Sequence, residues 1–220
     1  MSDAHVHDEH DHDHEHPGMH EDEEQGWYAR RFRAIEALLY EKGLCSWDEV
    51  TDVVHQVESR SPADGARVVA RAWTDPDFKQ RLLADPMTAV PEIGISLPEN
   101  GAQLQVVENT NDVHHLVVCT LCSCYPRPLL GRPPDWYKSI NYRSRAVNEP
   151  RSVMEEFGLE LPDAMRVDVH DSTADLRYLV LPQRPAGTEG WSEEALAGLV
   201  SRDSMIGVTQ ARSPQTLQAG

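Results

Sequence analysis

The chain has 220 residues, of which 40% are apolar, so it can bury a substantial core in one or two domains. Its formal net charge of −17 argues against nucleic acid and anionic membranes as partners. No apolar run approaches the roughly 20 residues that span a bilayer, and the N-terminus lacks the basic start of a secretory signal. We therefore expect a cytoplasmic protein with no membrane partner.

The first 24 residues are rich in histidine and acids. They hold ten Asp and Glu, no Lys or Arg, and seven of the eleven histidines. This composition cannot form a core, so a disordered tail is predicted. Two roles for this tail stay open. It could keep the protein soluble, or it could weakly bind divalent transition ions, for which closely spaced imidazoles are suitable ligands.

Four helices are predicted after the tail. In the first, Tyr28, Phe32, Ile35 and Leu39 recur at helical spacing, and Gly43 is expected to end it. The next three starts are marked by a capping box or by proline, at Ser46 with Glu49, at Ser61-Pro62 and at Asp75-Pro76. These amphipathic helices suit an arm that packs on a partner, or a helical subdomain with its own core.

The apolar pattern changes after Pro98 to the period of strands. Four segments are predicted as strands: QLQVVEN, VHHLVVC, RVDVHDS and LRYLVLP. The last two are expected to pair across a short turn at Ala174-Asp175, after the helix PRSVMEEFG. A further helix, SEEALAGLV, is capped by Ser192. Helices first and strands later predict an α+β fold.

Three of the four cysteines lie within six residues, at Cys119, Cys122 and Cys124. Cysteines this close are poorly placed to form disulfides with one another. A thioredoxin-like C-x-x-C would lie at a helix start, which the neighbouring prolines disfavour. The cluster therefore indicates a metal site, a redox role or both.

Two common metal sites fit the cluster poorly. A structural zinc site takes four ligands from two separated pairs, and the preceding His114 and His115 would point to opposite faces of their strand. An iron–sulfur cluster needs a fourth thiolate, for which Cys45 in the helical region is the only spare cysteine.

The spacing C-S-C suggests a different donor set. Deprotonated backbone amides of Ser123 and Cys124 could join the sulfurs of Cys122 and Cys124 in a near-planar arrangement, with Cys119 as the axial ligand. Such an anionic set favours a small trivalent ion, Co(III) or Fe(III), over zinc. The sixth position stays open, as a Lewis-acid catalyst requires.

The run VCTLCSC resembles the metal-claw motif of nitrile hydratase α subunits and of the related γ subunit of thiocyanate hydrolase. The downstream segments LGRPPDWYKSINYRSRAVNEPR and RYLVLPQRPAGTEGWSEEALAGLVSRDSMIGV are similar to these proteins too. The resemblance runs from about residue 27 to 209. It implies a hydro-lyase that hydrates a nitrile to its amide at a non-corrin metal centre.

The resemblance also implies roles for the claw residues. Cys119, Cys122, Ser123 and Cys124 would be the metal ligands, with Cys122 oxidised to sulfinate and Cys124 to sulfenate. Thr120 stands where iron enzymes of the family usually have serine, which favours cobalt. One or two non-identical subunits would supply arginines to the oxidised sulfurs, and a metal-insertion activator is a further expected partner.

The implied reaction places Cys124 at the nitrile. Its sulfenate oxygen, or an activated water, would attack the carbon, and Ser123 could assist through its hydroxyl. Trp136 and Tyr137 are expected to contribute to the substrate pocket. The predicted organisation is a tail at 1–24, a helical arm at 25–98, a mixed α/β catalytic core at 99–212 that carries the claw loop, and a flexible end at 213–220.

Arg127 departs from the usual nitrile hydratase pattern. Typical members have tryptophan at this position, whereas the run CSCYPRP resembles thiocyanate hydrolase γ. An arginine there could hold thiocyanate, or it could pair with a partner subunit or a local carboxylate. Hydrolysis of thiocyanate to carbonyl sulfide and ammonia is thus the alternative, and a non-catalytic metal-binding or cobalt-delivery module is the third hypothesis.

Overall fold

A computed structural model describes residues 21–98 and 101–217 of the chain. Residues 1–20 of the predicted tail and residues 218–220 of the predicted C-terminus lie outside this range. The chain divides into two compact units between Val53 and Val54. The boundary that the sequence suggests at 98/99 stays a prediction.

Helices and strands alternate along the chain, in agreement with the predicted α+β class. The elements are α1 (Glu21–Glu41), α2 (Trp47–Ser59), α3 (Pro62–Thr74), α4 (Pro76–Ala84), α5 (Pro86–Ala89), a 3-10 helix (Val90–Ile93), β1 (Gln103–Glu108), β2 (Val113–Val118), α6 (Arg127–Leu130), α7 (Asp135–Lys138), α8 (Ile140–Asn148), α9 (Pro150–Glu156), β3 (Arg166–Asp171), β4 (Leu176–Leu181), α10 (Glu193–Ala197), α11 (Arg202–Ile206) and α12 (Pro214–Leu217). In the described ranges, no helix combines the length and apolarity that a bilayer crossing requires.

The predicted helix boundaries are confirmed by their capping contacts. Ser46 and Glu49 form a reciprocal box, in which the Glu49 amide donates to Ser46 Oγ at 3.2 Å and the Ser46 amide donates to Glu49 Oε2 at 2.7 Å. The Asp75 carboxylate accepts from the amide of Phe78 at 2.9 Å. Beyond α1, Gly43 has a φ of +64°, a left-handed conformation that favours glycine at a helix end.

The four strands form two parallel pairs, and neither pair joins strands that a short turn connects. β1 pairs with β4, and β2 pairs with β3. The predicted pairing of the last two strands across Ala174-Asp175 is therefore wrong. A parallel pair needs a long crossover, which residues 119–165 provide between β2 and β3, and a local turn pattern could not reveal that connection.

The core of the second unit lies between these strands and the helices around them. Leu116, Val117 and Val118 of β2 are at most 1% exposed, as are Val68 and Val69 of α3. β2 is thus buried along its second half, where it leads into the cysteine loop. That burial fixes the position at which the loop begins.

Gly207, directly after α11, lies close to the backbone of β2. Its φ is +92°, and a Cβ built there would lie 2.0 Å from the carbonyl oxygen of His115. Gly187 has a similar φ of +77° but nothing within 4 Å of its Cβ position. Substitution of these two glycines therefore distinguishes the cost of a left-handed backbone conformation from the cost of a steric clash.

We expect Gly207→Ala to destabilise the chain far more than Gly187→Ala. The left-handed conformation alone should cost about 1 kcal/mol at Gly187, whereas the clash with His115 should raise the loss at Gly207 to at least about 3 kcal/mol. Urea unfolding of the two variants measures the difference. Equal losses would contradict the close approach of α11 to β2.

Candidate metal centre

The cysteine loop connects the end of β2 to the start of α6. The sulfur atoms of Cys119, Cys122 and Cys124 all lie within 4.8 Å of one another. Cys119 and Cys122 sulfurs are 3.5 Å apart, and those of Cys122 and Cys124 are 3.2 Å apart. The loop therefore brings the three predicted sulfur ligands to one point, while Cys45 belongs to the connection between α1 and α2.

Backbone amides of the loop are directed at the same sulfurs. The amide of Cys122 donates to Cys119 Sγ at 3.3 Å. The amides of Ser123 and Cys124 help to lower the pKa of the Cys122 thiol, so both lie near its sulfur. The two nitrogens that the sequence proposes as ligands are thus next to the sulfur cluster.

The sulfur spacing suits ligands of one metal ion. With a metal–sulfur bond of about 2.3 Å, two sulfurs at right angles are about 3.3 Å apart, and two tetrahedral ligands are about 3.8 Å apart. The Cys122–Cys124 distance of 3.2 Å is close to the first value, and the Cys119–Cys122 distance of 3.5 Å lies between the two. The three sulfurs are therefore close enough together to bind one ion.

The pKa values of the Cys122 and Cys124 thiols are shifted in opposite directions. Hydrogen bonds from Cys124, Cys119 and the neighbouring backbone amides lower the pKa of Cys122 to about 7. Burial, together with the thiol contact to Cys122, raises the pKa of Cys124 to about 12. In the metal-free chain Cys122 is thus the first of this pair to become a thiolate.

Asp171, at the end of β3, fixes the start of the loop. Its carboxylate accepts from the amide of Thr120 at 2.9 Å and from the Thr120 hydroxyl at 2.5 Å. Asp171 lies opposite Val118 in the parallel register, so it reaches the residue just beyond Cys119. Sequence reasoning missed it, because a carboxylate at the end of a strand becomes a signal only when the parallel pairing is known.

Two buried tyrosines hold the backbone on either side of the cluster. The Tyr137 hydroxyl donates to the carbonyl of Cys124 at 2.8 Å, and the Tyr142 hydroxyl donates to the carbonyl of Val117 at 2.6 Å. Both side chains are at most 5% exposed. Burial raises the pKa of each phenol, so both remain neutral donors at physiological pH.

The three predicted pocket residues have different surroundings. Tyr137 is buried against the loop as described above. Trp136 is half-buried, with its ring 4.8 Å from that of Tyr142 and 4.7 Å from that of Phe157. Arg127 is exposed at the start of α6 and lines a cavity of about 630 Å³. Their contact with a substrate stays a prediction.

His114 and His115 point to opposite faces of β2, as predicted. His114 is buried, and its ring nitrogens lie 3.2 Å from Asn109 Nδ2 and 2.7 Å from the carbonyl oxygen of Gly207. His115 Nδ1 lies 2.8 Å from His170 Nε2. Within residues 21–98 and 101–217, neither histidine joins the cysteine cluster.

Removing the Asp171 carboxylate should loosen the loop where it leaves β2. In Asp171→Ala the Thr120 amide loses a charge-assisted hydrogen bond, so its hydrogen exchange should accelerate about tenfold or more. Mass-resolved exchange of the peptide that contains Thr120 measures this. Asp175→Ala, at an exposed carboxylate after β3, is the matched control; equal acceleration in both variants would contradict the clamp.

The metal-free, freshly reduced chain should be alkylated selectively at Cys122. Its thiolate fraction should rise as the pH passes about 7, while Cys124, with a pKa near 12, stays protonated. Iodoacetamide labelling between pH 6 and 9, read by peptide mapping, tests this, with Cys45 as an internal reference. Equal labelling of Cys122 and Cys124 throughout would contradict the opposed shifts.

Comparison with known proteins supports the same assignment. Residues 27–209 match the family described as "Nitrile hydratase, alpha chain". The chain is 51% identical to the high-molecular weight cobalt-containing nitrile hydratase subunit alpha of Rhodococcus rhodochrous, over 86% of this chain and 93% of that one. It is 41% identical to the thiocyanate hydrolase subunit gamma of Thiobacillus thioparus, over 84% of this chain and 81% of that one.

A solved structure shows the same fold. A recombinant thiocyanate hydrolase with partially modified cobalt centres superposes with a TM-score of 0.77 at 40% identity, covering 85% of this chain and 91% of that one. The match to the family covers both the cysteine loop and the downstream segments that suggested the resemblance. The chain therefore belongs to the nitrile hydratase α-chain family.

Proposed function

We propose that this chain is the α-type subunit of a cobalt nitrile hydratase, which hydrates a nitrile to the corresponding amide. The observation that carries the proposal is the convergence of three cysteine sulfurs within 4.8 Å, close enough to bind one ion. The family membership and the cobalt-containing relative at 51% identity support it.

The proposed ligands are the sulfurs of Cys119, Cys122 and Cys124 and the backbone nitrogens of Ser123 and Cys124. When bound, a trivalent cobalt ion would supply the Lewis acid that polarises a nitrile. Its charge would also favour the loss of protons from the thiols and amides of the claw. Iron is the less favoured ion, since Thr120 stands where iron enzymes of the family usually have serine.

The exposure of the three thiols supports the proposed oxidation pattern. Cys122 is exposed, Cys124 is half-buried and Cys119 is 1% exposed. Oxidation follows thiolate character and access, so Cys122 is suited to become the sulfinate and Cys119 to stay unoxidised. Cys124, whose pKa is raised by burial, would become reactive only after deprotonation by a bound metal.

In the proposed reaction, the Cys124 sulfenate oxygen forms the bond to the nitrile carbon, and a proton is taken up at nitrogen. Water then attacks the Cys124 sulfur, the original S–O bond breaks to release the imidate, and loss of the water protons restores the sulfenate. The released imidate tautomerises to the amide. Tyr137 holds the Cys124 carbonyl and so orients this nucleophile. Ser123, half-buried between the two cysteines, is the proposed aid to proton transfer.

A partner subunit is proposed to complete the site. The relatives are named as subunits, and the first unit exposes large apolar side chains on α1. Tyr28, Phe32 and Ile35 are 60%, 66% and 58% exposed, an arrangement that suits burial against another chain. That chain would supply the arginines for the oxidised sulfurs; a metal-insertion activator remains a further proposed partner.

Thiocyanate hydrolysis is the second candidate, and Arg127 favours it. The guanidinium is exposed three residues after Cys124, beside a cavity that other basic side chains also line. Such a group suits an anionic substrate. The relative from Thiobacillus thioparus, at 41% identity, supports this alternative, and a non-catalytic cobalt module is the third.

The deciding assay uses the cobalt-loaded chain assembled with its partner subunits. We expect nitriles to be hydrated, and Cys124→Ser to reduce the rate at least about 100-fold with loss of the oxidised mass of the claw peptide. Cys45→Ser, outside the cluster, should remain within about twofold. Three unmodified claw thiols in active, metal-loaded protein would overturn the oxidised-claw proposal.

Arg127→Gln separates the two substrates. If the chain is a nitrile hydratase, this variant should change nitrile turnover little, and the unmodified enzyme should leave thiocyanate intact. If thiocyanate is the substrate, the variant should raise its KM about tenfold or more, as loss of a charge-assisted contact predicts. No turnover of either substrate would favour the non-catalytic module.

A further inference from the structure

A basic cavity lies beside the cysteine loop and is not used by the proposed hydration of a nitrile. Its volume is about 630 Å³, within the usual range of about 300–1,000 Å³ for ligand pockets. Four cations line it, together with one carboxylate, that of Asp135. The cations are Arg60, Arg127, Arg132 and Lys138.

The positive charge of this cavity is poorly compensated. Arg132 pairs with Glu58 at 3.2 Å, where the two side chains are 78% and 54% exposed. Lys138 pairs with Asp135 at 2.8 Å, and the carboxylate side chain is 99% exposed. Pairs exposed to this extent contribute little. Among residues 21–98 and 101–217, no carboxylate pairs with Arg60 or Arg127.

The backbone holds three of these arginines around one glycine. Gly131 is buried, has a φ of +68°, and a Cβ there would lie 2.7 Å from the carbonyl oxygen of Arg60. Its amide donates to the carbonyl of Arg127 at 3.0 Å, and Arg132 follows it directly. The three guanidiniums therefore start from fixed points, unlike cations scattered over a surface.

A second cavity extends the basic surface. It shares Arg60, Gly131 and Arg132 with the first and adds one carboxylate, Glu58, and one cation, Arg202. The Arg202 guanidinium also donates to the carbonyl of Arg132 at 3.2 Å. On a chain with a net charge of −17, this concentration of positive charge would attract a multivalent anion locally.

We propose that this basic cavity binds a small molecule through a phosphoryl group. Guanidinium groups bind phosphate oxygens in pairs, with planar, charge-assisted hydrogen bonds. A phosphoryl group carries a charge of about −1.5 to −2 at neutral pH, which suits several cations better than a single carboxylate does. The proposal does not rest on nitrile hydration, and the thiocyanate alternative shares with it only one of the four cations, Arg127.

Calorimetric titration of the full-length chain with inorganic pyrophosphate tests the site. The titration is run at constant ionic strength in chloride, without divalent cations, and succinate is the carboxylate comparator. We expect one pyrophosphate per chain and much weaker binding of succinate. Binding of succinate equal to that of pyrophosphate would overturn the phosphoryl assignment, and binding of neither would overturn the site.

Substitutions distinguish a specific pyrophosphate site from general electrostatic attraction of the anion to the protein. Arg132→Gln, at a side chain that is 78% exposed and so suited to substitution without loss of folding, should weaken pyrophosphate binding about tenfold, and so should Arg60→Gln. Arg33→Gln removes the same charge from an exposed position on α1 and should have no effect. Equal weakening by Arg33→Gln and Arg132→Gln would show diffuse electrostatics and overturn the proposal.

Discussion

The parallel register of β2 and β3 is the constraint on which the cysteine loop depends. Val118 lies opposite Asp171, so the chain leaves β2 beside a carboxylate that accepts both the amide and the hydroxyl of Thr120. An antiparallel pair would have placed the end of β3 at the far end of β2. The carboxyl ends of parallel strands meet at one edge of the sheet, and there the fold can fix the start of the loop.

Side-chain exposure increases from the start of the cysteine loop at Cys119 to its tip at Leu121. Cys119 is 1% exposed, whereas Leu121 is 85% exposed. The backbone is held at both sides of the cluster, by Tyr142 at Val117 and by Tyr137 at Cys124. The three cysteines are thus held by a buried scaffold while the tip of the loop stays open to solvent, an arrangement that suits the proposed metal site.

The sequence predicts those parts of the site that depend on local spacing. The ligand set follows from C-x-x-C-x-C, and the helix starts follow from capping residues such as Ser46 and Asp75. Strand pairing, by contrast, depends on a crossover of helices, which no turn pattern encodes. Asp171 and Tyr142 were missed for the same reason. Asp171 reaches the loop through the pairing of β3 with β2, and Tyr142 reaches the end of β2 from α8, a helix of the crossover.

The basic cavity, too, could not be predicted from local sequence patterns. Arg60 and Arg127 are 67 positions apart in the sequence, and the packing of α3 on α6, with Gly131 against the Arg60 backbone, brings them together. Arg127 alone suggests a residue near the claw, whereas the group suggests a binding surface. Sequence patterns therefore describe each cation singly and miss the balance of charge around the cavity.

Claw and cavity share a short, braced stretch of backbone. The amide of Arg127 donates to the carbonyl of Tyr125 at 2.8 Å, and the amide of Gly131 donates to that of Arg127 at 3.0 Å. Pro126 and Pro128 flank Arg127 and restrict the backbone further. The base of the Arg127 side chain is thus fixed relative to Cys124 by the fold. The loop that gathers the three thiols therefore leads directly into the basic cavity, which Arg127 lines together with Arg132 and Lys138.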